Sequence, residues 1–447
     1  MHSLHQDIVD DDYVDVSRDV ELVRPGTDTK NVIITCKSQQ GSTAVHDDHL
    51  NYVSVYIDSI SEILRPISLK IHDNPELKFE EFIAHDTLTK FLKTRKGWKV
   101  TPSAYGMATA FVAEFDSGKK GPVISYNVEY DALIGIGHSC GHNLIAICSV
   151  AAALAAASAM TKFSVPGKVI LFGTPGEEGG GGKIKLLDAG AYSDHAVDIN
   201  LISHPGNVPD SALVRTNAYT NFKVEYFGKE AHAAASPWEG INALDGLITA
   251  YNALSVLRQQ TMPGDIIQGH ITDGGSAPNI IHAYAAGVFV VRATSKKRLG
   301  VLREKVGKCF EAGAQASGAE LKITPVMAYD DHVPNKVLGG VCRTAFNALG
   351  GEIPTAELDL IWGASQASTD QGNISYAMPS LSLGFKIESE DGPHNPGFAK
   401  AARTREAHDA ALRAGKALAV TGLEILSSRD LLKAAREEFK DLLEGEY

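Results

Sequence analysis

The chain of 447 residues contains only five cysteines, which are scattered and odd in number. This pattern does not predict a disulfide framework of the kind that stabilises small secreted domains. The acidic segment Met1 to Val20 also lacks the basic-then-apolar order of a secretory signal peptide. We therefore expect a cytosolic protein. The five cysteines are Cys36, Cys140, Cys148, Cys309 and Cys342.

Basic residues are few relative to acidic ones as well: the chain has 42 of the former and 54 of the latter, so its formal net charge is -12. An acidic protein is repelled by nucleic-acid phosphates and anionic lipids, so we expect neither as a main partner. Long apolar runs are missing apart from the uncharged segment Leu144 to Met160. This segment is rich in alanine, barely long enough to span a bilayer and without basic flanks. We interpret it as a buried core helix.

The order of strand-like and helix-like runs indicates the fold class. Helical periodicity dominates from 50 to 96 and is broken at 72–76. Strands and helices then alternate in the rhythm of a parallel sheet. The predicted strands lie at 122–128, 168–174, 198–203 and 381–387, and the predicted helices at 143–160, 183–188 and 399–426. We therefore predict an α/β domain with a mostly parallel sheet flanked by helices.

A second, smaller domain interrupts this pattern. The order changes to β-α-β-β-α-β, which is typical of the ferredoxin-like split α+β unit. Its strands are predicted at 220–226, 265–267, 287–292 and 320–324, and its helices at 241–259 and 299–317. The predicted domains are an N-terminal extension of unknown role at 1–50 with a short strand at 31–35, a larger α/β domain at 51–216 and 328–447, and the inserted domain at 217–327.

The segment GHSCGHN at 137–143 lies between a predicted strand and the apolar helix. Gly141 allows the side chains of Cys140 and His142 to turn toward one point, as a shared metal ion requires. A helix N-terminus and a nearby cation both favour the thiolate form of Cys140. A Cys-x-His pair alone is nevertheless weak evidence for a metal site.

Further polar side chains directly follow the predicted strands. Asp131 follows the first strand of the sheet, Glu177 and Glu178 follow the second, and His204 follows the third. In open α/β sheets, binding sites form at the carboxyl ends of the strands. We therefore expect these residues to converge with the Cys-x-His pair. Without the other residues, the Glu177–Glu178 pair would be interpreted as part of a solvent-exposed turn.

The candidate ligands comprise one thiolate, one carboxylate and three imidazoles: Cys140, His142, Glu178, His204 and His394. Such a set suits zinc, or manganese less ideally, and can hold two ions that activate a bridging water and polarise a carbonyl. His394 alone, in a proline-glycine loop, would be read as a surface histidine. Glu177 is free beside a ligand and is the natural general base. Asp131 is expected to orient a ligand.

The glycine run at 179–182 before Lys183 also invites a phosphate-loop interpretation, but its spacing does not match. Glu177 occupies the position of the first glycine, and Ile184 stands where Ser or Thr would bind magnesium. A carboxylate aimed at phosphates would repel them. Nucleotide binding is therefore not predicted.

The chain resembles the aminoacylase/carboxypeptidase clan of di-metal amidohydrolases over roughly residues 51–427. Within the clan it is most similar to the branch of aminobenzoyl-glutamate hydrolases, plant auxin-conjugate hydrolases and β-alanyl-lysine-type dipeptidases. The matching motifs are EYDAL at 129–133, GHSCGHN at 137–143, PGEEGGGGK at 175–183, GKEAHAA at 228–234, GINALD at 240–245 and STDQGN at 368–373. The resemblance implies that the larger α/β domain is the catalytic domain and that the inserted domain is a lid that dimerises. It also places metal ligands and base on the residues already named.

The resemblance also implies roles for residues of the lid domain. His232 matches a histidine that reaches the partner subunit's site and stabilises the oxyanion. Asn279 and Arg292 resemble positions that hold the substrate's carboxylate. The sequence departs from the family at Ile134, where proline is usual, and at Asn395, where threonine is common. Neither departure removes a reacting group, so they bear on the substrate.

The sequence therefore predicts a metal-dependent amidohydrolase that cleaves an N-acyl amino acid or small dipeptide and acts as a homodimer. One alternative is the same site used for amide-bond formation, because condensation and hydrolysis share a transition state. The other is a metal-stabilised binding protein that has lost catalysis. The presence of both Glu177 and His232 favours an enzyme over that alternative.

Overall fold

The computed structural model of the protein describes residues 45–444. The strand predicted at 31–35 and nearly all of the predicted extension lie outside these residues. The described strands are β1 (Trp98–Pro102), β2 (Phe111–Asp116), β3 (Val123–Val128), β4 (Lys168–Gly173), β5 (Ile199–Gly206), β6 (Ala218–Phe227), β7 (Ile266–Asp273), β8 (Tyr284–Ala293), β9 (Glu320–Tyr329) and β10 (Ser380–Lys386).

The helices cover both the long amphipathic segments and several short turns at the ends of strands. They are α1 (Asp47–His72), α2 (Phe82–Lys93), α3 (His142–Phe163), α4 (Glu177–Gly180), α5 (Gly182–Asp188), α6 (Ala191–Asp194), α7 (Ala243–Leu257), α8 (Lys296–Ser317), α9 (Lys336–Ala348), α10 (Ala356–Trp362), α11 (Gln371–Ser375), α12 (Pro396–Ala401), α13 (Arg405–Ser427) and α14 (Arg429–Glu444).

The larger sheet has six strands in the order β1-β2-β4-β3-β5-β10. The pairs β4–β3, β3–β5 and β5–β10 are parallel, whereas β1–β2 and β2–β4 are antiparallel. Strands β3, β4, β5 and β10 correspond to predicted strands, and β1 and β2 form an additional antiparallel edge. The predicted α/β class with helices flanking a mostly parallel sheet is confirmed.

Helix α3 lies at the centre of the catalytic domain and packs against α1, α13 and the sheet. It is the one helix in 45–444 that is long and apolar enough to cross a membrane, yet 89% of its most apolar window is buried within the protein. Small alanine side chains let neighbouring helices approach closely on all sides. The interpretation of 144–160 as a core helix is confirmed.

The smaller sheet has the order β7-β8-β6-β9, with all neighbouring pairs antiparallel. The chain passes through β6, α7, β7, β8, α8 and β9 in the predicted β-α-β-β-α-β order. Helices α7 and α8 bury one apolar core against this sheet. The strands extend further than predicted, because the backbone ladders continue beyond the predicted bounds. The domain boundaries at 51–216, 217–327 and 328–447 stay predictions.

The carboxyl ends of β3, β4 and β5 lie side by side and carry the candidate site residues. Asp131 follows β3, and Glu177 and Glu178 follow β4. His204 lies within β5 and not just after it, because the ladder with β10 continues and pairs His204 with Gly384. Parallel strands thus bring residues that are distant in sequence to one edge of the sheet.

Helices α7 and α8 approach each other at a pair of glycines. A Cβ built at Gly313 would lie 2.2 Å from the carbonyl oxygen of Gly246, whereas one at Gly307 on the same helix meets nothing within 4 Å. We expect Gly313→Ala to lower the free energy of unfolding by about 1–3 kcal/mol through overpacking. The matched Gly307→Ala variant should raise it by roughly 0.5–1 kcal/mol. Urea denaturation of both variants measures the difference, and equal effects would contradict this packing.

Candidate active site

The carboxylate of Asp131 connects two parts of the candidate site. Its Oδ1 accepts a hydrogen bond from His142 Nδ1 at 3.0 Å, and its Oδ2 accepts one from the backbone N–H of Glu178 at 2.9 Å. A donating Nδ1 leaves His142 Nε2 with a free lone pair. Asp131 therefore fixes the imidazole tautomer that can bind a metal and also fixes the loop after β4.

One group of donor atoms comes from the segment before α3 and from β5. Ligand atoms of Cys140, His142 and His204 all lie within 4.8 Å of one another. Cys140 Sγ is 3.3 Å from His204 Nε2. The other ring nitrogen of His204 donates to the carbonyl oxygen of Pro205 at 2.8 Å, which leaves Nε2 available as a ligand. These three residues form a compact set that could hold one metal ion.

A second group of donor atoms shares the same thiol. Ligand atoms of Cys140, Glu178 and His394 also lie within 4.8 Å of one another, as do those of His142, Glu177 and Glu178. Glu178 Oε1 is 3.2 Å from His394 Nε2. The backbone of His394 has a φ of 67° and donates its N–H to the carbonyl of Ser139 at 2.8 Å. The structure therefore brings together all five predicted metal ligands.

The donors fit a divalent metal in both chemistry and spacing. Tetrahedral zinc with bonds of about 2.0–2.3 Å keeps its ligand atoms roughly 3.3–3.8 Å apart. The observed separations of 3.3 Å and 3.2 Å are close to this range. Among the described residues, the buried His142 Nε2 has no hydrogen-bond partner and has an ion-pair contact to Glu129 Oε2 at 3.4 Å, so its lone pair can bind a ligand outside the protein chain.

Burial changes the expectation for the thiol. It raises the pKa of Cys140 well above its usual range, and the carboxylates of Glu178 and Glu177 contribute in the same direction. Burial thus favours the neutral thiol, in the direction opposite to the one expected for a helix N-terminus. A bound cation supplies the positive charge that a buried thiolate needs.

Glu177 lies beside these donors at the start of the loop after β4. Its side chain is buried, and burial raises its pKa well above the usual range. The negative charges of Glu129 and Glu178 act in the same direction. A carboxyl group with a raised pKa can both accept a proton and return it at neutral pH.

Three charged residues at the back of the site were given no role from the sequence. The ammonium of Lys183 lies 2.6 Å from Glu129 Oε1 and 2.6 Å from Asp370 Oδ1, and all three side chains are buried. Glu129 Oε2 is 3.4 Å from His142 Nε2. Because Lys183 is enclosed by carboxylates, it does not act as a phosphate-loop lysine. All three lie in the quoted motifs, but a motif does not show burial.

The predicted lid residues lie apart from the metal donors within one chain. His232 is exposed, and its Nδ1 accepts hydrogen bonds from the N–H groups of Ala234 and Ala235 at 3.2 Å and 3.1 Å. Asn279 is also exposed, and its backbone carbonyl oxygen accepts a hydrogen bond from the backbone N–H of Ala233 at 3.0 Å. Within residues 45–444, no hydrogen bond or ion pair joins His232 or Asn279 to the five donors.

Arg292 faces the catalytic domain from β8. Its Nη1 donates to Ser368 Oγ at 2.8 Å, and its guanidinium lies over the ring of Tyr219, 4.8 Å from the ring centroid. No carboxylate lies within ion-pair distance of Arg292 in the described part of the chain. The half-buried guanidinium therefore keeps donors available for an anionic ligand.

Comparison with known proteins agrees with this geometry. Residues 216–316 match the family model of the peptidase dimerisation domain. The Xaa-Arg dipeptidase of Mus musculus is 39% identical over 401 residues, which cover 87% of this chain and 92% of that protein. A p-aminobenzoyl-glutamate hydrolase chain of Escherichia coli is 27% identical over 448 residues, covering 84% of this chain and 92% of that one.

A solved structure shows the same fold. The dinuclear metal-binding peptidase of the M20 family from Bacillus subtilis matches with a TM-score of 0.61 at 19% identity, over 82% of this chain and 99% of that chain. The predicted fold and the resemblance to di-metal amidohydrolases are confirmed. Extensive identity to a curated dipeptidase, together with the convergent donor set, leads to one conclusion. The chain belongs to the M20 family and is a metal-dependent amidohydrolase.

Proposed function

We propose that the protein hydrolyses the amide bond of an N-acyl amino acid or small dipeptide. The observation that carries this proposal is the convergence of five metal donors with Glu177 beside them at one sheet edge. The proposed ligands are Cys140, His142, Glu178, His204 and His394. Divalent ions bound there would lower the pKa of a water and polarise the substrate carbonyl. The dipeptidase and hydrolase names of two similar relatives support this substrate class.

We propose zinc as the metal, with two ions in each chain. Thiolate and imidazole donors favour zinc over harder ions such as manganese, which prefers carboxylate and water. The thiol of Cys140 belongs to two donor groups, which supports a second ion close to the first. Manganese is the alternative, and metal analysis of the purified protein distinguishes the two.

Glu177 is proposed to move the proton. Its carboxylate accepts a proton from the attacking water, while the water oxygen bonds to the carbonyl carbon. The carbon–nitrogen bond then breaks, and Glu177 gives the same proton to the departing amine nitrogen. The raised pKa of Glu177 supports both halves of this transfer, because the carboxyl group holds the proton between the two steps.

Arg292 and Asn279 are proposed to hold a carboxylate on the substrate. A guanidinium binds a carboxylate with two parallel hydrogen bonds, and Arg292 has no carboxylate partner within the described residues. Free carboxylates are present on N-acyl amino acids and on dipeptides alike. The names of the relatives, an Xaa-Arg dipeptidase and an aminobenzoyl-glutamate hydrolase, are consistent with such substrates.

His232 is proposed to act in the site of a partner subunit in a homodimer. Because Nδ1 accepts two backbone hydrogen bonds, Nε2 carries the proton and presents a donor to solvent. Such a donor can stabilise the developing oxyanion once it is brought to a substrate. The match to a peptidase dimerisation domain supports an arrangement in which the partner chain delivers it.

The cytosolic location remains a proposal. The described cysteines Cys140, Cys148, Cys309 and Cys342 are all free thiols. Free thiols are usual in a reducing compartment.

Replacing Glu177 by glutamine should separate the base from the ligands. Glu177→Gln keeps the shape of the side chain but removes the proton acceptor, so the rate should fall by roughly two to four orders of magnitude. The zinc content should remain at the level of the native protein. Glu178→Gln is the matched variant one residue away, and it should lose both metal and rate. Steady-state kinetics on a dipeptide panel with metal analysis decides, and a near-native rate for Glu177→Gln would reject it as the base.

Mixed dimers test the role of His232. Glu177→Gln and His232→Ala should each be nearly inactive alone. In a mixed dimer, the site on the His232→Ala chain has its own Glu177 and receives His232 from the partner. Random assembly makes about half of the dimers mixed, so about a quarter of all sites should regain activity. If His232 acts in the site of its own chain, both sites of a mixed dimer carry one substitution each and neither regains activity. Absence of rescue in verified mixed dimers would therefore overturn the shared site.

A further inference from the structure

The loop that carries Glu177 and Glu178 is rich in glycine and is held from outside by side chains. Glycine has little conformational preference of its own, so such a loop needs external contacts to keep one geometry. Backbone N–H groups of the loop donate to three carboxylates and one phenol oxygen. These contacts are Gly176 to Glu81 at 2.8 Å, Glu178 to Asp131 at 2.9 Å, Lys183 to Asp370 at 2.8 Å and Gly181 to Tyr329 at 3.1 Å.

Tyr329 makes two of the contacts to this loop. Besides accepting from Gly181, its hydroxyl donates to the carbonyl oxygen of Glu177 at 2.7 Å. Tyr329 is the last residue of β9, and only 4% of it is exposed. Burial also raises the pKa of this phenol, so the hydroxyl keeps the proton that it donates. The residue thus joins the smaller sheet to the backbone of Glu177 itself.

The ring of Tyr329 belongs to a row of side chains across the smaller sheet. Tyr219 on β6 is paired in register with Tyr329 on β9 and with Arg292 on β8. Directly opposed residues lie on the same face of a sheet. The two tyrosine rings are 5.8 Å apart between centroids, and Arg292 covers the ring of Tyr219. The packed row leaves Tyr329 little freedom to move away from the loop.

We propose that Tyr329 is a positioning residue that sets the placement of Glu177 through its hydrogen bonds to the loop. The proposal rests on the proposed function, because it matters for the rate only if Glu177 moves the proton. It also makes the smaller sheet part of the catalytic apparatus within its own chain, in addition to any contribution across a dimer.

The test compares two tyrosine-to-phenylalanine variants of the zinc-loaded protein. Tyr329→Phe removes both hydrogen bonds and keeps the ring. Tyr226→Phe is the matched control, because this buried tyrosine on β6 donates to the carbonyl of Phe310 at 2.8 Å, within the same sheet-and-helix unit. We expect Tyr329→Phe to lower kcat by about 10–100-fold with KM within about twofold and the zinc content kept. Tyr226→Phe should have near-native kcat even if its Tm falls.

Two further readouts separate positioning from general destabilisation. Hydrogen exchange of the 176–183 segment should accelerate in Tyr329→Phe and not in Tyr226→Phe. In a double-mutant cycle, Tyr329→Phe should have little further effect on kcat once Glu177 is glutamine, because both act through the same group.

Equal kcat values for Tyr329→Phe and Tyr226→Phe would overturn the positioning role, and so would additive losses in the cycle. A near-native rate for Glu177→Gln alone would instead reject the proposed base. The two failures are therefore distinguishable.

Discussion

The site depends on the hydrogen bonding of the Asp131 carboxylate, which accepts one hydrogen bond at each of its two oxygens. One oxygen fixes the imidazole of His142 at the start of α3, and the other fixes the backbone of Glu178 after β4. Both partners are donors, so a single buried carboxylate joins two segments that are far apart in sequence. Without it, the histidine could rotate or change tautomer, and the loop would lose one of its anchors.

The surroundings of Asp131 explain why a metal suits this position. A largely buried region of the site contains five carboxylates and one buried ammonium group, that of Lys183, which pairs with Glu129 and Asp370. The other three carboxylates are those of Asp131, Glu177 and Glu178. Buried negative charges are costly unless cations or hydrogen bonds compensate them. The ammonium of Lys183 compensates the negative charges of Glu129 and Asp370. No protein cation of this kind lies among the described residues where Cys140 and the imidazoles meet, so bound metal cations would compensate the charge there. The same electrostatic argument accounts for the raised pKa of Glu177.

The sequence predicts that Asp131 and the two glutamates lie near each other, because they follow parallel strands whose carboxyl ends meet at one edge of the sheet, and the structure brings these residues together there. Sequence reasoning missed β1 and β2, since WKVTP ends in proline and FVAEFD carries two acidic residues. It also missed the pairing of Lys183 with Asp370 and the hydrogen bond from Tyr329 to Glu177. The first pair of residues is separated by 187 positions in the sequence and the second pair by 152. A local sequence pattern does not encode a contact across such a separation.

The most direct test of the account is anomalous X-ray diffraction from crystals of the zinc-loaded protein at the zinc absorption edge. The account predicts two anomalous peaks per chain, one contacted by Cys140, His142 and His204, and the other by Cys140, Glu178 and His394. Peaks located only elsewhere, for example beside the His46, His49 and Glu424 side chains, would contradict it. Absence of density at the five donors in fully loaded protein would contradict it as well.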